Sequence, residues 1–176
     1  MNKLFALGFG LALAWIARPA IAAELQVGDP APDFTMPGSD GKTYNLADFK
    51  DKQAVVIAWF PKIFTGGCTA ECKSMKEDGA ALRKLDAAYF TASVDPIDQV
   101  TKFAQSLGLD YPILADETGE VAQAYGVVHG SRTVPERWTF YIGADGKILA
   151  IDKSVNTRSH GADIAQKLAE LGVETK

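Results

Sequence analysis

The chain has 176 residues, 47% hydrophobic and 23% charged, with a formal net charge of -4 and only two cysteines and two histidines. The acidic balance, with no basic patch to offset it, argues against a nucleic-acid or anionic-membrane partner. After the first 22 residues no segment is apolar enough to cross a membrane.

Residues 1–22 have the three zones of a secretory signal. Lys3 supplies a positive start, Leu4 to Ile16 is an uncharged apolar run, and Ala20-Ile21-Ala22 sets small residues where a signal peptidase reads. The run is short against the roughly 20 residues of a membrane span, and Arg18-Pro19 interrupts it. The expected mature chain begins at Ala23 and forms one domain over residues 23–176. Losing Lys3 and Arg18 but no acid, it would carry about -6. The expected location is the periplasm or the exterior, with no membrane contact after cleavage.

Pro30-Ala31-Pro32 reads as an extended lead-in, and Ser39-Asp40-Gly41-Lys42 as a turn that pairs residues 33–36 with 42–45 in a hairpin. A short helix starting at Asn45 or Asp48 follows. Ala54 to Phe60 is apolar on both faces, as in a strand buried in the middle of a sheet. Pro61 stops it, and Thr65-Gly66-Gly67 makes a loop. The pattern then predicts a helix over about 69–86, a strand over 89–94 and a helix over 96–107 closed by Gly108. A short strand or loop at 112–115 and a helix over 118–124 come next. Residues 137–143 and 147–152 read as antiparallel strands across Asp145-Gly146, and 163–171 as a final amphipathic helix. This order implies an α/β fold of the thioredoxin-like type: a mixed central sheet flanked by helices, with an N-terminal β-hairpin.

The chemistry concentrates at the cysteine pair. Cys68 and Cys72 enclose three residues, too short a loop for a structural staple, since stabilisation grows with loop length. The spacing points to redox chemistry or metal binding. Cys68 follows two glycines at a predicted helix start, where unpaired N–H groups and the positive end of the helix dipole favour a thiolate. Thr65 can put its hydroxyl beside the sulfur, donating to a thiolate or to a peroxide oxygen. Pro61 would fix the loop. A cation is needed to stabilise charge developing on a departing oxygen. Arg137 is the best candidate, with Lys62 and Arg132 as the other choices.

These residues together resemble the peroxiredoxin family. Pro61, Thr65 and Cys68 match its pattern of Pro, three residues, Thr, two residues, Cys, and Arg137 in Val134-Pro135-Glu136-Arg137-Trp138 matches its active-site arginine. Val27-Gly28-Asp29-Pro30-Ala31-Pro32-Asp33-Phe34 looks like the family's opening, Ser93-Val94-Asp95 like its next strand, and Asp145-Gly146-Lys147-Ile148 like its hairpin. The second cysteine on the same helix resembles the Q-type branch, named after the bacterioferritin comigratory protein. The resemblance implies a thiol peroxidase for hydrogen peroxide and organic hydroperoxides that needs neither cofactor nor metal. Cys68 would be oxidised to a sulfenic acid, with Thr65 and Arg137 orienting the peroxide. Cys72 would resolve it as a Cys68–Cys72 disulfide, and a thioredoxin-like protein would reduce that. A monomer or weak homodimer is implied.

Two departures stand out. The branch has four residues between its cysteines, where this chain has Thr69-Ala70-Glu71, and Gly66 stands where Pro is expected. Four apart on a helix, the two Cβ atoms would be roughly 5–6 Å apart, against about 3.5–4.5 Å in a disulfide. The bridge could close with modest distortion, or an external thiol could resolve Cys68 instead. The rival from another class is an exported copper chaperone of the Sco type, holding Cu(I) with Cys68, Cys72 and one of the two histidines, His129 or His160. His129 reads as loop surface, and His160 as lying near the start of the last helix.

Overall fold

A computed structural model describes residues 24–176; the signal read over 1–22 lies outside the described residues. The fold is organised by the strand with no polar face. β1 (Thr35–Pro37) and β2 (Thr43–Asn45) form the expected hairpin, and a 3-10 turn follows at Leu46–Phe49. β3 (Ala54–Trp59) is buried at every residue. It lies between β4 (Ala87–Ser93), which is parallel to it, and β6 (Thr139–Ile142), which is antiparallel. With β5 (Ile113–Ala115) and β7 (Ile148–Asp152) the sheet order is β5-β4-β3-β6-β7. A central strand covered on both faces needs apolar side chains in both directions, as Val55, Ile57 and Trp59 on one side and Ala54, Val56 and Ala58 on the other supply.

The helices are α1 (Gly66–Glu77), α2 (Gly79–Leu82), α3 (Ile97–Leu107), α4 (Glu120–Ala124) and α5 (His160–Glu170). Met75 of α1, Leu82 of α2 and Ile164 and Leu168 of α5 pack on the face of Val56, Tyr89 and Tyr141. Beside them α3 lays Val100 and Phe103 against Cys68, Cys72, Ile113 and Ala115. The opposite face is covered by the hairpin, the 3-10 turn and α4 through Met36, Leu46 and Ala122. Both sheet edges are engaged by the N-terminal segment. Gly28 N donates to Ile148 O (2.8 Å) at one, and Ser39 N to Ile113 O (2.9 Å) at the other.

Three expectations need correcting. The helix read over 69–86 is two helices and begins at Gly66, so the glycines form its first turn rather than a loop. It breaks at Asp78 (φ -87°, ψ 3°), where α5 crosses closely. Gly161 N donates to the buried Ser74 Oγ at 3.1 Å, and a Cβ on Gly161 would stand 2.6 Å from Ser74 O and 2.7 Å from Asp78 Cβ. Helix α5 starts at His160 rather than 163, and β6 starts at Thr139, leaving Arg137 two residues ahead of the strand. The turn at Gly146 (φ 79°) and the left-handed cap at Gly108 (φ 57°) are as read.

The close crossing makes a direct test. Gly161→Ala is expected to lose about 2–3 kcal/mol in urea unfolding, because the clash is with backbone. Gly66→Ala, whose Cβ would meet nothing within 4 Å, is expected to be neutral or to gain up to about 1 kcal/mol from helix propensity.

Candidate active site

The site forms where β3 gives way to α1. Phe60 N still donates to Ala92 O (3.0 Å), and Pro61 follows. The next turn is stapled to the end of β4: the buried Asp95 accepts from Ile63 N at 3.0 Å through one carboxylate oxygen and pairs with Lys62 Nζ through the other. Phe64 then takes a left-handed backbone (φ 58°), which costs a non-glycine residue about 1–2 kcal/mol. Its exposed ring meets Phe103 edge-on, with centroids 4.9 Å apart. Thr65 is extended and its carbonyl accepts from Thr69 N at 2.9 Å. Thr65 is therefore the cap residue, and Cys68 is the third residue of α1. At that position its own N–H belongs to the unpaired set at the positive end of the helix.

Arg137 reaches the sulfur from the segment just ahead of β6, the strand next to β3. Its Nη2 stands 3.2 Å from Cys68 Sγ. A Cβ on Gly67 would be 3.3 Å from the same Nη2, so the glycine leaves room for the guanidinium. The other fork, Nη1, is paired with Oε2 of Glu71, which has no exposed surface. A fully buried carboxylate requires such a partner.

Behind Glu71 lies a second buried group. His160 Nδ1 is 3.0 Å from Glu71 Oε1, and its Nε2 is 2.9 Å from Thr139 Oγ1. The ring and carboxylate are out of line for a good hydrogen bond, and neither atom has another partner among the described residues. Burial pushes the His160 pKa down from 6.5 to about 4. The nearby Arg137 charge acts in the same direction against the upward pull of Asp152 and Asp163. Arg137 already balances Glu71, so a protonated ring would leave a net buried positive charge.

Cys72 lies one turn further along α1 and is fully buried among Phe60, Val100, Phe103 and Ile113. Burial pushes its thiol up to about 12, although Tyr111 and Thr91 beside it act the other way. Both cysteines are free thiols. Because α1 is continuous through both, a bridge between them requires its first turns to distort locally.

The remaining sequence candidates fall into place around this. Lys62 is held by Asp95, while Arg132 pairs with Glu136 at 3.1 Å and donates to Val134 O at 3.3 Å. Of the three cations considered, Arg137 alone is at the sulfur. The Thr65 hydroxyl corrects one expectation: it donates to Lys62 O at 2.9 Å and not to Cys68. With its proton on Lys62 O, the hydroxyl has acceptor lone pairs left. His129 stands 3.7 Å from Glu136, and no three His, Cys, Asp or Glu side chains among the described residues group as a metal site. The histidine-plus-two-cysteine set of the copper reading is not assembled there.

Residues 27–151 match the profile of the AhpC/TSA family. The chain belongs to the AhpC/TSA family of peroxiredoxins. It is 32% identical over 143 residues to Peroxiredoxin Bcp of Escherichia coli, covering 77% of this chain and 90% of that one. It is 28% identical over 153 residues to Peroxiredoxin Bcp of Bacillus subtilis, covering 84% and 97%. Among solved structures, Peroxidoxin BcpB of Mycobacterium tuberculosis superposes with a TM-score of 0.73 at 31% identity, over 84% of this chain and 97% of that one. A Xylella fastidiosa PrxQ Cys-to-Ser mutant superposes at 0.77 and 20% identity, over 84% and 98%, which speaks to the thioredoxin-like fold. The protein is thus a thiol peroxidase of the Bcp branch.

Within that family the Gly66 departure is structurally mild. Gly66 is the first residue of α1, a position where proline also fits because its missing N–H is unpaired there anyway. Sequence reasoning missed Asp95, Glu71 and Thr139, and gave His160 only a place near the helix start or on copper. A signal existed for Glu71: Cys68, Cys72 and Met75 follow helical spacing as a buried stripe, and position 71 lies inside it.

The His160 ring gives the fold an acid sensitivity with a definite sign. A depressed folded-state pKa stabilises above the unfolded value near 6.5, and that contribution is lost as pH falls toward about 4. Urea unfolding at pH 7 and pH 4.5 is expected to show His160→Asn losing less stability on acidification than wild type, by up to about 3 kcal/mol.

Proposed function

We propose that Cys68 is the peroxidatic thiolate of this peroxidase, that Arg137, Thr65 and Pro61 form its peroxide site, and that Cys72 resolves the oxidised form. The observation that carries this reading is the Arg137 guanidinium, whose Nη2 stands 3.2 Å from the sulfur. In the first step Cys68 S⁻ attacks one oxygen of the hydroperoxide and the O–O bond breaks. The sulfur is left as a sulfenic acid, and the departing alkoxide or hydroxide takes up a proton. Arg137 stabilises negative charge on the sulfur and on the leaving oxygen, where fixed donors are worth most. Thr65, its own proton given to Lys62 O, accepts from the O–H of the peroxide and orients it. Pro61 holds the loop that carries Thr65. Cys68 has no exposed surface, so the peroxide enters as the exposed stretch over residues 64–67, which includes the first residues of α1, gives way.

In the second step the Cys72 sulfur attacks the sulfenic sulfur, a disulfide forms and water leaves. With its thiol pushed up to about 12 by burial, Cys72 is a poor nucleophile inside the folded helix. Opening of α1 both brings the sulfurs together and frees the thiol to ionise. A thioredoxin-like dithiol protein then reduces the bridge by exchange. The N-terminal signal pattern supports export, and the acidic mature surface suits a monomer or weak homodimer.

Intact mass after one equivalent of hydrogen peroxide tests this assignment. Wild type is expected to lose two hydrogens, Cys72→Ser to gain one oxygen, and Cys68→Ser to remain unchanged. Wild type gaining oxygen instead would assign resolution to an external thiol. Arg137→Ala is expected to slow Cys68 oxidation on the order of 10²–10³-fold with an unchanged circular-dichroism spectrum; an unaltered rate would remove Arg137 from the site.

A further inference from the structure

Arg137 serves two anionic groups with one planar fork: Nη1 on Glu71 and Nη2 on Cys68. A carboxylate and a guanidinium prefer to pair through two parallel bonds. Left to itself, the buried Glu71 would draw both Nη groups and take Arg137 off the sulfur. Its second oxygen, Oε1, faces His160 Nδ1 at 3.0 Å, out of line for a full hydrogen bond as the two groups stand, and no other described residue is placed to satisfy it. We propose that His160 is a positioning residue: by serving Glu71 Oε1 it confines the carboxylate to one bond with Arg137 and leaves Nη2 on the peroxidatic sulfur. This rests on Cys68 and Arg137 being the peroxide site.

The chemistry of the neighbours decides which proton the ring carries. An ionised Glu71 is an acceptor only, so Nδ1 must bear the hydrogen for the pair to be favourable. In a neutral ring Nε2 is then the acceptor, and the Thr139 hydroxyl, 2.9 Å away, is the donor that suits it. Thr139 is fully buried in β6 two residues after Arg137. One strand therefore supplies the group that sets the tautomer, and the segment just before it supplies the guanidinium that the tautomer controls. His160 itself opens α5, which the close Gly161–Ser74 contact locks against α1. The ring reaches Glu71 because that crossing is tight. Outer partners of this kind commonly alter activity without touching substrate.

The test is the second-order rate of Cys68 oxidation by hydrogen peroxide in four proteins: wild type, His160→Leu, Glu71→Gln and the double variant. His160→Leu is expected to slow oxidation on the order of tenfold to a hundredfold, while reduction of the oxidised enzyme by dithiothreitol keeps its rate. In the Glu71→Gln background the same change is expected to matter by less than about twofold, since a residue acting through Glu71 has nothing left to control. His160→Asn, which can still donate to Glu71, should restore most of the rate. Equal losses in both backgrounds, an unaltered rate in a folded His160→Leu, or His160→Asn as slow as His160→Leu would each overturn the proposal. Should His160→Leu not fold, Thr139→Val carries the same comparison: a slower rate alone and no added effect on Glu71→Gln supports the role, and no slowing overturns it. A wild type in which peroxide leaves Cys68 unmodified would instead defeat the site assignment on which this rests.

Discussion

One guanidinium joins a sulfur to a carboxylate that has no access to water, and the site's geometry depends on that contact. A carboxylate with no exposed surface needs a partner such as Arg137, and the same pairing keeps Arg137 beside Cys68 rather than extended into solvent. The pair is two-way: the carboxylate holds the cation where the sulfur needs it, and the cation makes the buried carboxylate tolerable. Glu71 also lies between the two cysteines. On the proposed mechanism, a local opening of α1 that joins them would disturb the Glu71 contacts with Arg137 and His160.

The sheet explains why these groups meet. β3 and β4 are parallel, so their C-terminal ends lie along one rim, and Asp95 after β4 can catch the turn that follows β3. β6 runs the other way, with Thr139 opposite Ala58. Its starting end, and Arg137 just ahead of it, therefore reaches that same rim. Three chain segments far apart in sequence converge because strand direction alternates at β3, and the helix carrying Cys68 starts at that rim with its unpaired N–H groups. Ligand sites in open α/β sheets favour the carboxyl ends of strands for related reasons.

What was legible was local. The apolar run of β3, the Gly108 cap, the Asp145-Gly146 turn and the N-terminal hairpin are each specified by residues within a few positions of one another. Where the reading failed, a distant element had intervened. The helix after Cys68 looks unbroken to residue 86, yet α5 presses Gly161 into it at Asp78. His160 read as a helix-start residue or a copper ligand, and its place beneath Glu71 follows only from how α5 crosses α1. Arg137 is the first choice over Lys62 and Arg132 from the sequence, and the structure shows what holds the other two: Asp95 takes Lys62 and Glu136 takes Arg132.

The amino-acid order alone determined the family, the fold class and the cysteine at a helix start, because these are written in short motifs and in periodicity. Tertiary structure alone decided that Thr65 turns its proton to Lys62, and that Glu71 and His160 stand behind Arg137. The physical reason is burial. A charged or polar side chain becomes committed to a partner only when packing removes the water that would otherwise serve it, and that packing is the work of segments many tens of residues apart.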